Sequence, residues 1–363
     1  MNQFSAPRRG LEILDRARAL APSIRAASDE IEKAGRLTEE IVHALKQADV
    51  FGMAIPTEMD GPEADPMTQL QVVEELSIAD ASVGWVAMIG SDGGYYAAHL
   101  SAEVAGEIYA DPNAVTASTL VPRGQARPVD GGYRVSGQWS FGSAGLHAEW
   151  FVGGCLVFDG DKPAKTKEGH PIVRMMFFPR TDCLVHDNWQ TTGLAGSGSN
   201  DWSVDDVFVP EAKSFSLFEP PRFKGPVYAY PWFIVANAPG VSLCIARASI
   251  DTLGELAAKK VVMPGGKRLQ DDLLLQTEVG RAEAELGAAR AYIYDATAAI
   301  FETVSAGDEA TLEQRAAYRL AGINAFRASK SVVSRMYEAG GGAALYSKSL
   351  LDRQWRDIST ITQ

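Results

Sequence analysis

The spacing of apolar residues changes period twice along this chain of 363 residues, and that switch constrains the fold more than any other feature. Helical spacing runs from Leu11 to about Asp111, alternation takes over between about Val115 and Phe215, and helical spacing returns from Pro239. Side chains repeat every 3.6 residues around a helix and every second residue along a strand, so the three stretches call for different layers. The expected fold class is α+β, with an N-terminal helical domain over 1–114, a middle β domain over 115–215 and a C-terminal helical bundle over 216–363.

Local signals fill in these blocks. Thr38 followed by Glu39 and Glu40, and Asp65 followed by Pro66, read as helix starts. Strands are expected over 115–121, 131–141, 150–158, 172–179 and 202–209, with 159–169 as an exposed tip. In the last block Leu275, Val279, Ala282, Leu286, Ala289, Ile293, Ala296 and Ile300 alternate steps of four and three. That is a heptad seam whose alanines permit close helix approach, and 312–337 reads as a second long helix.

A net charge of −12 and a pI near 5.0 exclude a polyanion as the main partner, because nucleic acid needs a basic surface to displace its counterions. No uninterrupted apolar span of about 20 residues stands out, and 1–10 carries Pro7, Arg8 and Arg9 rather than an apolar core, so a cytoplasmic protein with no membrane partner is expected. Cys155, Cys183 and Cys244 are widely spaced and read as buried apolar residues, and the histidines are too scattered for a metal site.

Chemistry is expected where the strand over 131–141 runs into GQWSFGSAGLHAEW, residues 137–150. Tyr133, Val135, Trp139 and Phe141 fall on every second residue, which puts Phe141 and Ser143 on one face. Gly142, Ala144 and Gly145 would let a planar ligand approach the backbone, Phe141 would cover its ring, and the Ser143 hydroxyl would bond a heteroatom at its edge. A plain hairpin with two core aromatics is the competing reading. A second segment, TTGLAGSGSNDWSVDDVFVP at 191–210, bears on the choice.

Together the two segments resemble the middle domain of the acyl-CoA dehydrogenase superfamily. They are more similar to its oxygenase branch, the group D two-component flavin monooxygenases that hydroxylate phenols, indoles and similar rings. The oxygenases resemble GxWxFxSG, matched here at Gly137, Trp139, Phe141 and Ser143, with Ala144 in place of the usual second glycine. Over 82–100, SVGWVAMIGSDGGYYAAHL, glycines interrupt a helical run at ~1 kcal/mol each, which asks for a packing or ligand reason. The resemblance makes this the substrate side, with Trp85, Ser91, Asp92, Tyr95 and Tyr96 as its candidates; Asp92 as a mere helix cap stays open. His99 ranks below Asp92 for proton handling. Near the C-terminus, EAGGGAALY at 338–346 is similar to a glycine turn that meets the flavin's phosphate end, and Arg353, Arg356 and Asp357 resemble an RxxRD signature.

The resemblance implies a reduced flavin, FAD or FMN with FADH2 favoured by the glycine turn, supplied by a separate NAD(P)H flavin reductase, and O2 as co-substrate. It implies flavin contacts from Thr119, Trp139, Ser140, Phe141, Ser143, Gly340, Gly341, Gly342 and Arg356. Ser143 and Asp92 would be catalytic, the substrate a small aromatic or indole-like molecule, and the assembly a homotetramer joined through the C-terminal helices. An acyl-CoA dehydrogenase is the alternative, and a non-catalytic scaffold of the same fold is a third reading. No metal is expected.

Overall fold

In a computed structural model that describes residues 8–262 and 264–363, capping chemistry sets the helices of the first block. They are α1 (Arg8–Ala34), α2 (Glu39–Gln47), α3 (Pro66–Ser77), α4 (Ala81–Gly90), α5 (Gly93–Ala97) and α6 (Ala102–Ile108). Thr38 Oγ1 accepts the Ile41 N–H at 3.3 Å, and Asp65 Oδ1 accepts those of Met67 and Thr68 at 3.0 Å, as the sequence predicts. The reading of residues 1–7 lies outside the described residues.

The glycines over 82–100 have a packing reason. A Cβ at Gly94 would sit 2.0 Å from the Ala54 backbone, at Gly90 2.7 Å from the Phe51 ring and at Gly93 2.7 Å from Tyr109. Gly90 and Gly94 let α4 and α5 press against the segment after α2, and Gly93 makes room for Tyr109 at the end of α6, so packing accounts for all three.

The middle block is one sheet of β1 (Thr116–Val129), β2 (Gly132–Trp139), β3 (Trp150–Asp159), β4 (Lys162–Pro163), β5 (Val173–Pro179), β6 (Leu184–Val185), β7 (Trp202–Pro210) and β8 (Ser214–Phe215). Its order is β6-β7-β2-β1-β3-β5-β8 with β4 on β3, and β1 and β3 run parallel at its centre. β1 continues to Val129, past the expected end at 121, because Gln125 to Val129 pair with Ser136 to Gly132 in a hairpin. Proline and charge in PRGQARPV disguise that half of the strand as a loop.

Trp139 and Trp202 form the centre of this sheet's core. Their rings stack with centroids 4.2 Å apart at 13°, and Phe151 and Phe178 close around them. Glycine makes the room: a Cβ at Gly153 would lie 2.8 Å from both indoles, and Gly124 and Gly137 are held equally close to Trp139. Trp139 is fully buried and its Nε1–H donates to the Gly154 carbonyl at 2.8 Å. The expected flavin contact of the Trp139 side chain is therefore corrected, since no face of the ring is free.

The last block comprises α7 (Ala238–Lys259), α8 (Leu273–Ser305), α9 (Leu312–Gly340) and α10 (Leu350–Ile361). The heptad seam is inside α8 as expected: Leu275, Ala282, Leu286, Ala289, Ile293, Ala296 and Ile300 are all buried, and Val279 packs against them. The stretch Pro231–Lys259 has a mean hydropathy of 1.5, long and apolar enough to cross a membrane, yet 78% of that window is buried inside the protein. It is a core helix. Cys155, Cys183 and Cys244 are buried and unpaired.

Candidate active site

A cleft of about 610 Å³ opens where α4, the end of β2, the loop before β7 and α10 converge. Trp85, Phe141, Ser143, Trp189, Thr191, Thr192, Leu194 and Ser199 line it, and Ser359, Thr360, Ile361 and Gln363 close one side. None of these side chains is charged. The set suits a flat, neutral heteroaromatic ring with polar atoms at its edge.

Phe141 and Ser143 both line this cleft, though not through strand alternation. β2 ends at Trp139, so alternation no longer applies; the Gly142 N–H bonds to Asn200 O at 2.9 Å and the Ser143 N–H folds back onto Phe141 O at 2.8 Å. Phe141 adopts φ 64°, leaving its ring 67% exposed in the cleft and set edge-to-face against Trp189 at 6.1 Å. Leu194, which also lines the cleft, has φ 50°. A left-handed conformation in a bulky residue costs on the order of 1–3 kcal/mol, and two such residues facing one cleft mark a preorganised site. The glycines expected to admit a ligand serve packing instead: a Cβ at Gly142 would lie 2.6 Å from Trp202, and at Gly145 2.8 Å from Gly142 O.

Ser143 sits in a chain of hydroxyls. Trp85 Nε1–H donates to Ser143 Oγ at 2.9 Å, Ser143 Oγ lies 2.6 Å from Ser199 Oγ, and Ser199 Oγ lies 2.8 Å from Ser197 Oγ. Ser197 donates to Leu194 O at 2.7 Å. Asn200 braces the same loop, its Oδ1 accepting the N–H groups of Asn188 at 2.9 Å and Trp189 at 2.8 Å.

The Arg-Asp signature latches α10 onto this loop. Asp357 Oδ1 accepts the Leu194 N–H at 2.7 Å, and a Cβ at Gly193 would lie 2.1 Å from Arg356 O, so the loop lies directly on the helix. Arg356 is expected to contact flavin, but its guanidinium is spent on Glu32 at 2.6 Å, Asp352 at 2.7 Å and the Thr192 carbonyl. It is corrected to a buttress. Burial pushes the Asp357 carboxyl up to about 7, with nearby Asp80 adding to the rise against the Leu194 hydrogen bond and Arg356.

Of the expected substrate wall, only Trp85 lines the cleft. Ser91, Asp92, Tyr95 and Tyr96 are corrected to a buried cluster between α5 and the sheet. Ser91 Oγ donates to Met88 O at 2.9 Å, Tyr95 OH to Gln69 Oε1 at 3.3 Å, and Asp92 Oδ2 accepts from Ser118 at 3.2 Å and Tyr96 at 3.4 Å. Asp92 occupies the N-cap position of α5 but its side chain makes no capping bond, and burial without a cationic partner holds its carboxyl well above the usual range. Thr119 accepts the Trp202 Nε1–H at 3.3 Å and, like exposed Ser140, lies off the cleft wall. Gly340, buried, ends α9 and passes into exposed Gly341 and Gly342, with Lys260 Nζ donating to Gly340 O at 3.0 Å; they do not line the cleft. His99 stacks on Phe215 at 5.3 Å, and burial lowers it and His147 to about 4, so both imidazoles are neutral. Trp232 lines a separate groove beside α9.

Trp189, Ser197 and Ser199 are site residues that the sequence did not single out, whereas Asp357 stood in the Arg-Asp signature without its Leu194 partner. Their signal is the Gly/Ser run at 191–200, which marks a loop but not its partners.

Comparison with known proteins agrees with this geometry. Profiles for the acyl-CoA dehydrogenase N-terminal and C-terminal domains match residues 11–104 and 238–363. The chain is 31% identical over 342 residues to an indole-3-acetate monooxygenase of Pseudomonas putida, covering 93% of this chain and 86% of that protein. It is 30% identical to the oxygenase subunit HsaA of a flavin-dependent monooxygenase from Rhodococcus jostii, covering 95% and 91%. The crystal structure of the HsaA monooxygenase from Mycobacterium tuberculosis superposes with a TM-score of 0.89 at 26% identity, over 97% of this chain and 92% of that one. The chain belongs to the two-component flavin-dependent monooxygenases built on the acyl-CoA dehydrogenase fold.

Proposed function

We propose that this chain is the oxygenase component of such a system: it takes reduced flavin from a separate NAD(P)H-dependent reductase and hydroxylates a small aromatic or indole-like molecule. The observation that carries this reading is the uncharged cleft in which the strained, exposed Phe141 ring and the Ser143 hydroxyl face one space. Bound reduced flavin would supply the two electrons for O2 activation, one oxygen atom going to the aromatic ring and the other leaving as water. The protein binds, orients and excludes water. Phe141 and Trp189 would pack on the flat ring system and Ser143, held in place by the Trp85 N–H, would bond a polar atom at its edge. The Asp357 latch keeps Leu194 and Ser199 against the same ligand.

The glycine turn at 340–342 is proposed to meet the phosphate end of a flavin held mainly by another copy, which favours FAD over FMN, within a homotetramer. Support for the assembly comes from apolar side chains left exposed on α8 and α9, among them Tyr292, Leu312, Leu320 and Ile323. Sedimentation at micromolar concentration tests it, a monomer being the contrary result. The division into 1–114, 115–215 and 216–363 is proposed as the domain organisation, because the element types change near those positions.

Mixing the protein and anaerobically reduced flavin with oxygenated buffer and an indole or phenol tests the activity. A hydroxylated product, with NADH consumed only when a reductase is present, is expected. Protein that purifies with stoichiometric oxidised FAD, bleached by an acyl-CoA, would instead identify a dehydrogenase.

A further inference from the structure

Proton counting along the serine chain fixes which way each hydroxyl points. Ser197 Oγ lies 2.7 Å from the Leu194 carbonyl, which has no proton to give, so Ser197 must donate; two bare oxygens at that distance would repel. With its one proton committed, Ser197 can only accept from Ser199 across 2.8 Å. Ser199 has then spent its proton and can only accept from Ser143 across 2.6 Å. Ser143 Oγ also accepts the Trp85 Nε1–H at 2.9 Å. What remains of Ser143 toward the cleft is a single oxygen lone pair.

The terminus of the chain is well fixed. Leu194 O also accepts the Trp189 Nε1–H at 3.0 Å and the Ser197 N–H at 3.0 Å, while its N–H is held by Asp357. The peptide that sets the polarity is thus clamped at both ends. Ser143, Ser197 and Ser199 are all buried, so water does not compete freely for their protons.

A lone pair aimed at the ring edge discriminates between redox states of a flavin. Reduced flavin carries a proton at N5 and can donate; oxidised flavin presents a lone pair there and can only accept. We infer that Ser199 and Ser197 are positioning residues that orient Ser143 as an obligate hydrogen-bond acceptor and so make this cleft selective for reduced flavin over oxidised flavin. The inference rests on the flavin-binding reading of the cleft and adds the residues that set its redox preference. It also gives a physical reason why an enzyme fed by diffusion would keep the product of a reductase and reject the oxidised cofactor.

The test is the ratio of dissociation constants for oxidised and reduced FAD, measured by fluorescence under air and under anaerobic dithionite, for the full chain and three variants. Ser199→Ala releases the Ser143 proton to point at N5, and Ser197→Ala does so one link further back. Each should lower the oxidised-to-reduced ratio about tenfold, the value of one hydrogen bond, read equally as a fall of about 30 mV in the bound flavin's midpoint potential. Ser199→Thr restores the hydroxyl and should restore the ratio. Retained binding of reduced flavin in each variant shows that the cleft is still formed. If the ratio stays at the wild-type value in Ser199→Ala and Ser197→Ala while flavin binds, the inference is overturned and the monooxygenase reading stands. If wild-type protein binds neither form, the flavin reading itself fails and takes the inference with it.

Discussion

Replacing Asp357 with asparagine should abolish a pH dependence that few surface carboxylates could produce. The carboxyl is buried under the loop, beside Asp80, and its folded value of about 7 stands against an ordinary value of 3.8. A folded-state value raised above the unfolded one means that the native protein holds this proton more tightly. The stabilisation is therefore fully present below the unfolded value and is lost as pH rises through the folded value. At about 1.4 kcal/mol per pH unit, the loss between pH 5 and pH 8 comes to roughly 3 kcal/mol. Asparagine keeps an oxygen for the Leu194 N–H and cannot ionise, so its urea midpoint should decline less steeply with pH than that of the wild type. Asp80, also raised by burial, contributes a slope to both proteins, and the difference between the curves isolates Asp357 and its repulsion with Asp80. Asp357→Ala should destabilise at pH 5 by about 1–3 kcal/mol, because the Leu194 N–H loses its acceptor, and that deficit should vanish toward pH 8 as the wild-type carboxyl ionises. Parallel decline of wild type and Asp357→Asn from pH 5 to pH 8 would refute the buried latch.

Other substitutions separate the roles of neighbouring residues. Phe141→Gly relieves a left-handed φ and removes a ring that is mostly exposed, so thermal stability should be unchanged or rise by about 1 kcal/mol while flavin affinity falls; a stability loss above that size would mean the ring is core. Trp139→Ala empties the stack with Trp202 and should cost about 3–5 kcal/mol by chemical denaturation, far more than a ligand contact would. Ser143→Ala strands the Trp85 N–H and the Ser199 hydroxyl and loses a bond to cofactor worth about 1–3 kcal/mol, so more of the O2 consumed should leave as hydrogen peroxide; an unchanged peroxide yield would make Ser143 a framework residue.

Much of the fold is legible where a residue's neighbours are close in sequence. Thr38 and Asp65 cap helices as their sequences say, and the α8 seam is buried at the heptad positions because a helix presents one face whatever surrounds it. Trp85, Phe141 and Ser143 converge as expected. What stays hidden depends on distant partners. Alternation puts Trp139 on a face of its strand but does not say which face is covered, and the glycines that seat it lie at 124 and 153. Arg356 looks like a free cation until Glu32, 324 residues away in sequence, is found against it. Asp92 reads as a site carboxylate because nothing local reveals that α5 packs it under the sheet. The sequence of the 191–200 loop does not name its serines' partners, and their order as a hydrogen-bonded chain exists only once Leu194 is clamped from both sides.

Transfer of an oxygen atom is the central claim, and isotope labelling addresses it directly. The protein, reduced flavin regenerated by a separate NADH-dependent reductase, and an indole or phenol would be incubated under 18O2 and the product examined by mass spectrometry. One 18O per hydroxylated ring, absent when either protein is omitted, is the predicted result. A product without label, or O2 recovered entirely as hydrogen peroxide for every aromatic tried while an acyl-CoA is desaturated, would contradict it.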